Sequence, residues 1–183
     1  MAALLRLYAD YRKDQSRLLT FWPSIPIEVA PISVNTVLHS LRTIGSMNPK
    51  VRQGAVEKTG PLKTDQDFFI IDAPFPPLLT QSDVAEGKGD GTGPKGANDT
   101  AFGSSGEGKA QGEGKWEVQT LAKRIKSITG VLEVGIFSGL DGTQAQAMGL
   151  QGGQRPVAVY FGMQDGTVKV RHANGNKEER KTV

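Results

Sequence analysis

Between Glu86 and Gly114 the chain offers almost nothing to bury. The run is built mainly from Gly, Lys, Asp and Ser, and such a segment cannot offset the entropy lost on ordering. It divides the apolar material into two blocks, so a sheet has to draw strands from both sides of the break. We read 86–114 as a disordered insert. A phosphate loop would sit between a strand and a helix at defined spacing, and GKGDGTGPKG lacks those flanks and contains a proline. The insert also explains why 23 glycines and a hydrophobic share of only 37% go with a chain that still carries strong strand and helix patterns.

On the amino-terminal side, Met1 to Leu19 is ambiguous: Ala2, Ala3, Leu4, Leu5 and Leu7 suit a helix, and the same residues suit a short buried strand ending at Asp10. Pro23 and Pro26 then exclude a continued helix. Ile25 to Ile32 places Ile25, Ile27 and Val29 on one face of a strand, which Pro26 and Pro31 assign to an edge or a strand end. Ser33 is placed to cap a helix whose stripe is Val34, Val37, Leu38, Leu41 and Ile44, with Gly45 as its stop. His39 lies beside that stripe and reads as a packing or surface residue. Lys50 to Gly54 is a weak strand, and Phe68 to Ala73 a strong one.

After the insert, Trp116, Val118, Leu121, Ala122, Ile125 and Ile128 form a second helical stripe ending near Gly130. Val131 to Phe137 alternates as a strand. Ser138 to Arg155 reads as a polar loop, 141–155 at its centre. Val157 to Phe161 and Thr167 to Val170 are strands about the turn Gln164-Asp165-Gly166, and the tail, Lys177 to Lys181, reads as a solvated end. From Ile25 to Phe137 the order is strand, helix, strand, strand, helix, strand. The fold class is therefore α+β: a ferredoxin-like split βαβ small domain, with an antiparallel sheet carrying two helices on one face, over 25–85 and 115–140. Residues 1–24 precede it, strands return over 156–172, and 173–183 is a charged tail.

Charge and composition exclude several function classes. Net charge is only +3, with acidic residues among the basic ones, so no stripe suited to a nucleic-acid backbone stands out. Phe68 or Phe69 could stand on an RNA-stacking sheet, but no basic, aromatic-rich strand accompanies them. No nucleic-acid partner is expected. Cysteine is absent, which removes disulfides, thiolate nucleophiles and thiolate metal sites. The two histidines, His39 and His172, make a histidine metal site a poor fit. No apolar run reaches the about 20 residues that span a bilayer, and MAALLRLYADYRK becomes charged too soon for a secretory signal. A cytoplasmic protein with no membrane partner is the expectation.

Several runs carry a specific resemblance: ADYRK at Ala9 to Lys13, PIEVAP at Pro26 to Pro31, RQG at Arg52 to Gly54, Thr64 and Asp65 followed by FFIID, GVLEVGIFSGL at Gly130 to Leu140, and DGTVKV at Asp165 to Val170. In this order the chain resembles ribose-5-phosphate isomerase of the A type, and the ADYRK, FWP and PIEVAP wording is most similar to fungal members. The resemblance implies a carboxyl-terminal half. Residues 1–24 would then be the remnant of a catalytic α/β domain with a parallel sheet. Leu4 to Ala9 would be a strand deprived of neighbours, left to fray, turn helical or expose an apolar edge.

The same resemblance implies a chemistry and a gap in it. Members of the family interconvert ribose 5-phosphate and ribulose 5-phosphate without cofactor or metal. Their phosphate loop, their Asp-Gly-Ala-Asp element and the glutamate that acts as base belong to an amino-terminal half whose motifs do not occur here. The expectation is a chain begun inside a longer coding sequence, or a degenerate copy, lacking the catalytic base. The family's Asn-Gly-Asn turn is also replaced by Gln66-Asp67. One site residue carries over by the ADYRK match: Lys13, a substrate-binding cation. Asp10 is its neighbour in the motif, with capping of the turn as its competing role. Glu28 and Asp72 form a tempting carboxylate pair that reads as structural. The implied partners are the sugar phosphate and a second copy of the chain, bound through the small domain. The alternative is a non-catalytic oligomerisation or interaction module.

Overall fold

A computed structural model describes residues 4–54, 60–95, 114–173 and 177–180. It divides into two compact units, one made of 17–136 and the other of 1–16 with 137–183.

The unit 17–136 is built on strands β2 (Ser24–Val29), β3 (Lys50–Val51), β4 (Phe69–Pro74) and β5 (Val131–Val134), and on helices α1 (Val34–Thr43), α2 (Gln81–Ala85) and α3 (Val118–Lys126). The strands form an antiparallel sheet in the order β3-β4-β2-β5. Ile25, Ile27 and Val29 point to one face, with Ile71 and Ala73 of β4 beside them. That face packs on Val37 and Leu41 of α1 and Leu121 and Ile125 of α3. These side chains are at most 2% exposed, and each valine, leucine and isoleucine among them contributes about 1.5–3 kcal/mol by leaving water.

Pro26 does not mark an edge. Its strand lies in the middle of the sheet, between β4 and β5. The Pro26 carbonyl accepts from Gly135 N at 2.8 Å, so the side on which its missing N–H would point is the β5 side. There the ladder starts only at Ile27, opposite Val134. No ladder donor is lost toward β4, and the proline is tolerated.

Two helix starts differ from expectation. Ser33 occupies the α1 cap position without a side-chain hydrogen bond, and a single 3-10 turn, Pro31–Ser33, leads into the helix instead. Trp116 precedes α3, because Glu117 is the cap and accepts from Thr120 N at 2.9 Å. The indole is 2% exposed and its Nε1 donates to the Ile44 carbonyl at 2.9 Å.

Residues 86–95 of the expected disordered insert are laid down against the unit. Lys88 N bonds the Asp83 carbonyl, and Glu117 N bonds the Gly91 carbonyl, both at 2.9 Å. Backbone hydrogen bonds hold this stretch, and Gly93 lies against the Trp116 indole. The rest of the expected insert, 96–113, lies outside the described residues.

The other unit holds β1 (Arg6–Asp10), α4 (Gly142–Ala147), β6 (Ala158–Gly162), β7 (Val168–His172) and β8 (Lys177–Arg180). Its sheet runs β1-β6-β7-β8, with β1 parallel to β6 and the rest antiparallel. Of the two readings of the opening segment, the strand ending at Asp10 is the one found, but it is not buried: none of its side chains is fully covered. Tyr8 stands 78% exposed and stacks on Tyr160 at a ring separation of 5.2 Å.

The expected polar loop contains helix α4. Asp141 caps it by accepting from Thr143 N and Gln144 N at 3.0 Å, and Gln144 reaches back to Asp141 N. The tail read as a solvated end supplies β8, since ladder hydrogen bonds come from the backbone and require no apolar side chain.

Candidate functional site

Lys13 sits at the carboxyl end of β1, on the single 3-10 turn Tyr11–Lys13. In open sheets with parallel strands, ligands gather just beyond the carboxyl ends of the strands. β1 and β6 run parallel, and they end together, Asp10 opposite Gly162. Tyr11, Arg12 and Lys13 are all exposed.

Asp10 opens the turn. Its carboxylate accepts from Arg12 N and from Arg12 Nε, both at 2.8 Å. These bonds from the Arg12 side chain and backbone hold the Asp10 carboxyl below the usual carboxylate range. Of the two roles open to Asp10 from sequence, capping is the one the geometry displays.

Asp14 closes the turn. Its backbone N–H donates to the Tyr11 carbonyl at 2.9 Å. Its carboxylate is only 11% exposed and receives Lys169 Nζ on Oδ2 at 2.7 Å, while Arg171 Nη2 lies 2.8 Å from Oδ1. Arg171 also donates to the Gln15 carbonyl at 2.7 Å, and its guanidinium stands 5.8 Å from the ring centre of Phe161. Sequence reasoning missed Asp14, Lys169 and Arg171. The signal was present: Lys169 and Arg171 are two apart on one strand, hence on one face, and two cations side by side require a nearby anion. Around Lys13 the cluster counts Arg12, Lys13, Lys169 and Arg171 against Asp10 and Asp14. The surplus of two positive charges suits an anionic ligand.

The remaining candidates lie in the unit 17–136. Glu28 on β2 stands opposite Ile70 and Glu133, and Asp72 on β4 stands opposite Pro26 and Lys50. Asp72 is taken up by Arg52, at 2.8 Å from Nε and 2.5 Å from Nη2. Glu28 and Asp72 are thus offset along the sheet and are not opposed as a pair. His39 is exposed on α1. Phe69 packs against the apolar cluster. Among the described residues no three His, Asp or Glu side chains are grouped to hold a metal. No helix among them is long and apolar enough to cross a membrane.

Known proteins similar to this chain share one name. The model of ribose 5-phosphate isomerase A (phosphoriboisomerase A) matches residues 1–87. A ribose-5-phosphate isomerase of Mycosarcoma maydis is 34% identical over 93% of this chain and 42% of its own length. One from Schizosaccharomyces pombe is 32% identical over 97% of this chain and 46% of its own. The chain therefore spans less than half the length of these relatives. A solved D-ribose-5-phosphate isomerase in complex with phospho-erythronic acid aligns with a TM-score of 0.56 at 23% identity. That alignment covers 91% of this chain and 48% of the other, and at such identity it speaks for the mixed α+β fold alone.

Proposed function

From the premise that this chain belongs to the ribose-5-phosphate isomerase A family, we propose that it forms part of an aldose-ketose isomerase of the non-oxidative pentose phosphate pathway. That enzyme interconverts ribose 5-phosphate and ribulose 5-phosphate. The reaction moves a proton between neighbouring carbons through an enediolate. It needs a carboxylate to take the proton, and a cation or hydrogen-bond donors where oxygen charge grows.

Lys13 is the cation in this reading. The observation that carries it is the placement of an exposed lysine on a fastened turn just beyond the carboxyl end of a parallel strand, within a cluster of surplus positive charge. We assign the proton acceptor to the part of the relatives' length that this chain does not cover. A general base works best with a pKa near the working pH, whereas Asp10, the carboxylate that opens the turn, is held low by Arg12. The same reading makes 17–136 a ferredoxin-like unit that joins copies of the chain. Its support is the succession β2, α1, β3, β4, α3, β5 and the sheet order β3-β4-β2-β5.

The test is an assay of ribulose 5-phosphate formation by the 183-residue chain, alone and mixed with the amino-terminal half of a relative. Turnover is expected only in the mixture, and Lys13→Met should lower it by about 100-fold, the scale of losing one charge-stabilising group. Turnover by the chain alone would put the base within it. A mixture indifferent to Lys13→Met would remove Lys13 from the site. Silence in both arms, with self-association in sedimentation, would favour the oligomerisation module.

A further inference from the structure

We propose that Asp14 is a positioning residue for Lys13, acting through an ionic clamp onto strand β7. The inference rests on the reading of Lys13 as the cation that meets the sugar phosphate.

The turn Tyr11–Lys13 has no buried residue, so no apolar anchor fixes it. A 3-10 turn is also held by hydrogen bonds of poorer geometry than those of an α-helix. Each of its two ends is fastened by a carboxylate. Asp10 fastens the first end, but only to Arg12 within the turn itself. Asp14 fastens the second end to a distant part of the chain. Lys169 and Arg171 lie 155 and more residues away in sequence, and the three side chains are 11%, 24% and 29% exposed.

An isolated exposed ion pair would do little. Here one shielded carboxylate meets two cations, and Arg171 holds the next carbonyl, Gln15, as well. Arg171 is itself oriented over Phe161, which is 5% exposed and sits opposite both Ala9 of β1 and Lys169 of β7. The clamp thus refers the turn to three strands at once. Lys13 is covalently next to Asp14, and a shift of about 1 Å in a positioned group can cost up to about 100-fold in function.

The experiment uses the full 183-residue chain. Lys13 is acetylated with an N-hydroxysuccinimide ester at increasing ribose 5-phosphate and its modification read by peptide mass spectrometry. Amide exchange of Asp14 and Gln15 is followed in parallel by NMR. Ribose 5-phosphate should protect Lys13. In Asp14→Asn, and in the double variant Lys169→Met with Arg171→Met, the protecting concentration should rise about tenfold and both amides should exchange faster. Lys169→Arg, which keeps the charge, should stay within about twofold of the parent. If Lys13 is protected equally in the parent and in Asp14→Asn, the clamp is refuted while the role of Lys13 stands. If Lys13 is not protected in the parent even after the amino-terminal half of a relative is added, the role of Lys13 fails and the clamp falls with it. Should Asp14→Asn lose the dispersed amide signals of β6 and β7, the double variant decides by the same criteria.

Discussion

A single carboxylate, Asp83, shows how residue-scale chemistry fixes a loop in this chain. It is 3% exposed. It pairs with both Arg17 guanidinium nitrogens, accepts from Thr80 N at 2.8 Å and from Thr80 Oγ1 at 2.6 Å, and meets Lys88 Nζ at 3.3 Å. Arg17 first, then Thr80, hold its pKa far below the ordinary value of 3.8. The folded pKa lies below the unfolded one, so Asp83 contributes stability that is present above about pH 4 and lost as pH falls through the acid range. Parent and Asp83→Asn should therefore differ in urea midpoint at pH 7 and converge progressively below pH 4. A constant gap down to pH 2 would show that the charge is not what matters. Trp116 makes a second, neutral case. Trp116→Phe leaves the buried Ile44 carbonyl without its donor, which should cost about 1–3 kcal/mol in urea unfolding at pH 7.

At the scale of elements, the approach of α1 to the turn before β5 depends on Gly130. Its φ is +93°, and a Cβ there would stand 2.1 Å from the Ser33 Cβ, while its carbonyl accepts from Ala30 N at 2.9 Å. Gly130→Ala adds left-handed strain to a clash with the Ser33 side chain, and should lower stability by about 1–3 kcal/mol, read as a shift in urea midpoint with unchanged slope. The elements that were legible in the sequence share a cause: apolar periodicity strong enough to name a face, as in Ile25, Ile27 and Val29 or Leu121 and Ile125. The missed ones formed for reasons periodicity does not register. α4 starts from the reciprocal hydrogen bonds of Asp141 and Gln144, a local signal hidden in a Gly- and Gln-rich stretch. β8 is a backbone ladder on charged residues, and Pro26 enters a central strand because the neighbouring ladder begins one residue later. At the proposed site, Lys13 was nominated by the ADYRK run alone, whereas the ion pairs of Asp14 form only once β7 joins the sheet two strands from β1, a juxtaposition no local pattern announces.

For the whole molecule, the decisive asymmetry is where the apolar core lies. Every residue of the main buried cluster, from Leu19 to Val134, belongs to 17–136. Strand β1 of the other unit, by contrast, has no buried side chain, pairs with β6 along one edge, and presents its other edge without a neighbour among the described strands. Parallel strands are ordinarily covered on both faces and flanked on both sides, and regions with few buried apolar contacts open first. Hydrogen exchange on the 183-residue chain should therefore be slowest at β2 and β4 and fastest, among the strands of 1–173, at β1. If the amino-terminal half of a relative completes the sheet, adding it should slow exchange at β1 and leave β2 and β4 unchanged. Amides of β1 already as protected as those of β2 would mean that the strand needs no neighbour, and would undercut the view that these residues are half of a larger enzyme.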